Sequence, residues 1–193
     1  ELGGNNAIII TPEADLKIVL TGAVFGAVGT AGQRCTTTRR LIIHQSIFDK
    51  VTRALVKAYK QIQIGNPLDP KNHMGPLIDI QAVYHYQKAL EAIVNQGGKM
   101  LVQGGVLKGR KYGSGCYVLP CIAEVTNDLP IVQSETFAPI LYVMSYRTLD
   151  EAIRMQNNVP QGLSSAIMTN NMREAEQFLS AAGSDCGIAN VNI

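Results

Sequence analysis

Three features of this 193-residue chain predict an α/β fold, a largely parallel twisted sheet with helices on both faces. Short β-branched or aliphatic runs alternate with helical patterns along the whole length, as when parallel strands are joined by crossover helices. Turn signals such as "GNPLDP" (65–70) and Gly97-Gly98 separate the segments. A composition of 46% hydrophobic and 17% charged residues suits one core, so residues 1–193 are read as one globular domain.

The elements follow in order. "AIIIT" (7–11) is the first strand, and Thr11-Pro12-Glu13 carries the cap, first-turn proline and acid of a helix start, predicting a helix from there toward Ala31. Within it Gly22, Ala23, Gly26, Ala27 and Ala31 clear one face for close approach of another backbone. "RRLIIH" (39–44) is a strand, and Ser46-x-x-Asp49 opens a helix with Val51, Leu55, Ala58 and Ile62 on its apolar side. A helix at about 80–95 and a strand at 100–103 come next. Strands are then expected at 117–125 and 140–145, a helix at 149–156 opened by the Thr148-x-x-Glu151 box, a strand at 164–169, a helix at 173–182 and a last strand at 187–193.

Composition excludes some function classes. A net charge of +2, with no Lys/Arg run interleaved with aromatics, argues against nucleic acid and anionic membranes as partners and for a small molecule. The apolar runs are much shorter than the ~20 residues of a membrane span. Four cysteines, with no C-x-x-C pair, predict neither a disulfide scaffold nor a metal site, and a reducing cytoplasm is expected. Cys116 and Cys121 are placed in one strand, on opposite faces. The chain begins and ends inside strand patterns, so it is expected to be a piece of a longer protein.

Cys35 stands in a loop between the glycine-rich helix and a strand, with Arg34, Arg39 and Arg40 close in sequence. Positive charge favours thiolate over thiol, which makes Cys35 the candidate nucleophile. Alternation sends one of Arg39 and Arg40 away from it, and the bland reading of that pair is a solvated strand start. His44, His73 and His85 lie in structural settings, so the histidine base of a thiol hydrolase is lacking. Glu1, ahead of Gly3-Gly4, can instead act as a general base on water, and Glu135 in "QSETFAPI" is a second acid before a strand.

"ELGGNNA", a cysteine 34 residues on in "GQRCTTTRRLIIH", then "GNPLDP", "MGPLI", "SETFAPIL" and "QGLSSAI" resemble, in this order, the aldehyde dehydrogenase superfamily over all 193 residues. The spellings "ELGGNNAI", "GTAGQRCTT" and "GSDCGIANVNI" look most like its antiquitin branch, the α-aminoadipic semialdehyde dehydrogenases. The resemblance implies that Cys35 attacks the aldehyde to give a thiohemiacetal, which is oxidised by NAD, or NADP, to a thioester. Glu1 would activate the hydrolytic water. It implies further that Glu135 and Phe137 hold the nicotinamide ribose and ring, that Gln81 makes a second ribose contact, and that Arg34 grips the substrate carboxylate. Gly183 and Ser184 would begin the loop that anchors its far end. On the same ground the NAD-binding domain precedes Glu1 and an oligomerisation segment follows Ile193, so the piece alone is expected to be inactive and the full-length protein a homo-oligomer. Two other readings stand beside this one: a non-catalytic binding module of the same fold, and a thiol-dependent esterase that needs no NAD.

Overall fold

The computed structural model describes residues 3–193. Its centre is a seven-stranded sheet in the order β3-β6-β7-β2-β1-β8-β9. The strands are β1 (Asn6–Ile10), β2 (Thr38–His44), β3 (Lys99–Val102), β6 (Cys121–Glu124), β7 (Ile140–Tyr146), β8 (Ser164–Met168) and β9 (Ile188–Val191). All neighbours run parallel except β3 and β6. A separate two-stranded ribbon pairs β4 (Gly105–Val106) with β5 (Val118–Leu119).

The principal helices are α1 (Leu16–Val28), α2 (Phe48–Tyr59), α3 (Ile80–Asn95), α5 (Leu149–Asn157) and α6 (Met172–Leu179), with the single turn α4 (Pro130–Gln133) between β6 and β7. The path from β1 through α1 to β2 steps toward the β3 edge, whereas those through α5 and α6 step toward the β9 edge. Right-handed crossovers of opposite direction place helices on opposite faces, giving the predicted double cover. The strands nearest the centre therefore read as continuous apolar runs, with Ile8, Ile9, Ile10, Leu41, Ile42 and Ile43 all buried.

Local chemistry fixes the element ends, and several differ from the sequence expectation. Helix α1 is capped by Asp15, whose carboxylate accepts from the Lys17 N–H, because Thr11 to Ala14 closes a tight turn first. It stops at Gly29, where the chain passes into a short left-handed wind: Thr30, Ala31 and Gly32 all have positive φ. Ser46 does not cap α2; its hydroxyl bonds the His44 ring. The Thr148 cap of α5 is as expected, the hydroxyl accepting from Glu151 N–H. The strand expected over 117–125 is two strands in two sheets, separated at Pro120, which has no N–H to give to a ladder. Cys116 and Cys121 therefore belong to different segments. The glycine stripe of α1 packs as expected: a Cβ at Gly26 would overlap Thr38 Oγ1 at the start of β2, so the helix rests directly on the strand.

Candidate active site

Five loops meet where the parallel strands begin: 3–5 before β1, 29–37 before β2, 134–139 before β7, 161–163 before β8 and 180–187 before β9. Open α/β sheets usually bind ligands outside the carboxyl ends of their strands. Here the candidate residues gather at the amino ends.

Cys35 is a free, part-exposed thiol. Its loop is held from below by Asn6, whose Nδ2 donates to the carbonyls of Cys35 (2.7 Å) and Thr37 (2.8 Å). The Oδ1 of the same side chain accepts from the Ser164 N–H (3.2 Å) and hydroxyl (2.9 Å), so one buried amide ties the starts of three strands. Gly4 is required by proximity, since a Cβ there would overlap the Cys35 carbonyl oxygen. On the other side Gln33 anchors the loop to 76–78, donating to Pro76 O and accepting from Ile78 N–H at 2.8 Å. The left-handed residues Thr30 and Ala31 cost about 1 kcal/mol or more each, and these contacts hold them in place.

The reading of Arg39 and Arg40 as a solvated strand start is corrected: both are buried, at 2% and 0% exposure. They open a strand covered on both faces, so alternation sends each into an interior. Arg39 donates to Thr136 O (2.6 Å), Gly4 O, Gly32 O and Arg34 O, and forms an ion pair with Glu135 Oε1 at 3.1 Å. Its guanidinium also lies over the Phe137 ring. Burial lowers the Arg39 pKa, opposed chiefly by the neighbouring Glu135 charge and to a smaller degree by Tyr142 and Cys35. Arg40 points the other way, into the end of α5, donating to Met155 O (2.8 Å), Gln156 O (3.0 Å), Asn127 Oδ1 and Asn5 O. Burial pushes its pKa down to about 10, so it remains charged at neutrality.

Glu135 is no surface acid: its side chain is 19% exposed. Oε1 accepts from Arg39 and from the Gly4 N–H at 3.0 Å, while Oε2 accepts nothing among the described residues. A Cβ at Gly3 would overlap Oε2, so the glycine leaves that oxygen its space. A fixed carboxylate with one open acceptor suits vicinal hydroxyl donors, and the part-exposed Phe137 ring stands two residues away. These residues fit the ribose and ring of a nicotinamide nucleotide.

Arg34 lies beside the thiol in sequence but folds back over Phe25, its Cζ 5.1 Å from the ring centroid. Gly183 and Ser184 sit in a loop secured to α5: Asn157 Nδ2 donates to Gly183 O at 2.8 Å, and Gln156 Nε2 to Ser184 Oγ at 3.1 Å. Ser184 also shares a hydrogen bond with Ser165 on β8, which joins that loop to the same edge. Gln81 is on the first turn of α3, where it bonds the His85 ring; no hydrogen bond links it to Glu135 or Cys35. Glu1 lies outside the described residues. His44 bonds Ser46 and Arg147 O, and His73 accepts from Gln63 N–H, so these rings are engaged elsewhere. Sequence reasoning missed Asn6 and the two buried clamps; the signal for the clamps was a charged pair opening a strand of a parallel sheet.

The model of the aldehyde dehydrogenase family matches residues 1–193. The chain is 50% identical to alpha-aminoadipic semialdehyde dehydrogenase of Rattus norvegicus over 194 residues, covering 100% of this chain and 35% of that protein. It is 46% identical to aldehyde dehydrogenase family 7 member B4 of Arabidopsis thaliana, covering 100% and 37%. Among solved structures, betaine aldehyde dehydrogenase of Staphylococcus aureus in complex with NAD+ superposes with a TM-score of 0.93 at 29% identity, covering 100% of this chain and 38% of that one. The chain thus spans little more than a third of the length of these relatives.

Proposed function

We propose that this chain, which belongs to the aldehyde dehydrogenase family, supplies the nucleophile and the substrate-selecting arginine for oxidation of an aldehyde that carries a carboxylate, α-aminoadipic semialdehyde in the first place. The activity is that of the whole protein, of which this chain is a part. One observation carries the reading: the buried Arg39 guanidinium binds the Arg34 carbonyl of the Cys35 loop and the Glu135 carboxylate at once, which supports a joint role for Cys35 and Glu135 as nucleophile and cofactor-holding acid.

In this mechanism Cys35 Sγ attacks the aldehyde carbon, and the backbone N–H of Cys35 would be one donor to the oxygen that gains charge. Asn6 and Gly4 fix the Cys35 carbonyl and with it the orientation of the peptide units around the thiol. Glu135 Oε2 and Phe137 are the groups that would hold the ribose and the ring of the cofactor. When bound, NAD would supply the two-electron acceptor for oxidation of the Cys35-linked thiohemiacetal carbon to a thioester. Glu1 takes a proton from the water that hydrolyses the thioester, releasing the acid and restoring the thiol. Arg34 offers a planar fork to the carboxylate end of the substrate. Assembly as a homo-oligomer and a reducing cytoplasmic setting belong to the same proposal.

The test is NADH formation by the full-length protein with α-aminoadipic semialdehyde and with a neutral aldehyde of similar length, for wild type, Cys35→Ala and Arg34→Ala. Loss of activity in Cys35→Ala and loss of the semialdehyde preference in Arg34→Ala are expected. Equal rates on both aldehydes in wild type would remove the substrate assignment, and activity persisting in Cys35→Ala would remove the mechanism.

A further inference from the structure

We infer that Gly29 and Phe25 are positioning residues that seat the Arg34 guanidinium, and that the preference for a carboxylate-ended aldehyde depends on this seat as much as on Arg34 itself. The inference rests on the assignment of Arg34 made above.

The observation begins with Gly29. Its backbone, φ −51° and ψ 134°, lies in a region open to any residue, so conformational freedom does not call for glycine here. What calls for it is space: a Cβ would overlap Arg34 Nη2 and stand 3.5 Å from Cζ, with no other neighbouring atom in the way. The guanidinium occupies the volume that a side chain at 29 would fill. Phe25, one helical turn earlier on α1, closes the seat. Its ring lies under the guanidinium, and its carbonyl oxygen is 3.5 Å from Nη2. That ring is 68% exposed, an exposed aromatic surface which the stacked cation partly covers.

Stacking uses one face of the guanidinium and Phe25 O takes an Nη2 hydrogen, which leaves the remaining terminal N–H groups for a carboxylate. Arg34 Nε is buried and has no hydrogen-bond partner among the described residues. An arriving carboxylate therefore meets the terminal nitrogens rather than Nε. Space for a ligand is present on both sides. Arg34, Phe25 and Thr21 border a groove of about 730 Å³ running toward Ser164, Ser165 and Asn190. The same three residues border a second groove, of about 820 Å³, running toward Gln61 and His73. The guanidinium forms part of the wall between the two.

The experiment uses the full-length protein and reads a ratio: kcat/KM for the carboxylate-ended aldehyde over kcat/KM for a neutral aldehyde of equal length. Both are measured on one preparation, so a loss of folded enzyme cancels. In Gly29→Ala the only atoms displaced are the far end of Arg34, and the ratio is expected to fall about 10- to 100-fold, the factor of a charge-assisted hydrogen bond. The loss should fall mainly on the KM of the carboxylate substrate. Phe25→Leu, which removes the π face, is expected to lower the ratio about two- to fivefold. Gly29→Ala combined with Arg34→Ala should fall no further than Arg34→Ala alone. A wild-type ratio in Gly29→Ala, with a collapsed ratio in Arg34→Ala, would overturn the seat and leave the role of Arg34 standing. An unchanged ratio in Arg34→Ala would remove both.

Discussion

Arg39 and Arg40 are adjacent on β2, both buried and both rich in acceptors, yet they serve largely different parts of the molecule. Arg39 collects the carbonyls of residues 4, 32, 34 and 136 and one carboxylate, all from site loops. Arg40 collects the carbonyls of residues 155 and 156, which fasten the end of α5, and reaches the site loops only at Asn5 O. A strand covered on both faces turns one dipeptide into two supports, one for the chemistry and one for the scaffold beneath it.

Breaking the scaffold side should have the larger effect. Arg40→Leu leaves the last carbonyls of α5 and Asn5 O without their donors, and a loss of about 3–5 kcal/mol in unfolding free energy is expected by urea titration. A loss below about 1 kcal/mol would make Arg40 an incidental contact. On the site side, Arg39→Lys keeps the charge but not the fork; it should cost about 1–3 kcal/mol and raise the KM for NAD of the full-length protein. An unchanged KM would group Arg39 with the scaffold and abolish the contrast. Asn6→Ala, which frees two carbonyls and two donors at three strand starts, should lower stability by about 1–3 kcal/mol and alter the alkylation rate of Cys35, followed by mass spectrometry. Asn6→Ala with native stability would assign the strand starts to backbone pairing alone. The smallest effect sharpens the comparison between thiols. Cys121 is fully buried, and burial pushes its pKa up to about 12, so iodoacetamide near neutral pH should label Cys35 and spare Cys121. In the unfolded chain the Cys121 thiol ionises at about 8.5, so above that pH unfolding releases its proton and stability falls as pH rises toward 12.

Much of this was legible in the sequence. Alternation of strand and helix gave the sheet, and the order of motifs gave the family, because both are written in contiguous residues. Most of what escaped was written in non-contiguous ones. Nothing near Asn6 indicates that its amide will meet residues 35, 37 and 164. The burial of Arg39 and Arg40 follows only once β2 is known to be central, and the break at Pro120 was visible as a residue unable to donate to a ladder. The start of α1 at Leu16 shows a nearer cap, Asp15, prevailing over Thr11.

The amino-end location of the site carries an electrostatic consequence. Helices that lead into parallel strands finish at that edge, so α1, α5 and α6 all present their carbonyl termini there, each the negative pole of a dipole worth about half an elementary charge. At the opposite edge of such a sheet, helix N-termini attract anions through the backbone. Here the helix termini oppose them, and guanidinium groups counter that charge: Arg40 on the last carbonyls of α5, Arg39 on Gly32 O, Arg34 near Phe25 O. Positive charge at this edge therefore resides in side chains rather than in helix termini. It can be lost or redirected by single substitutions, while the sheet that carries it stays the same.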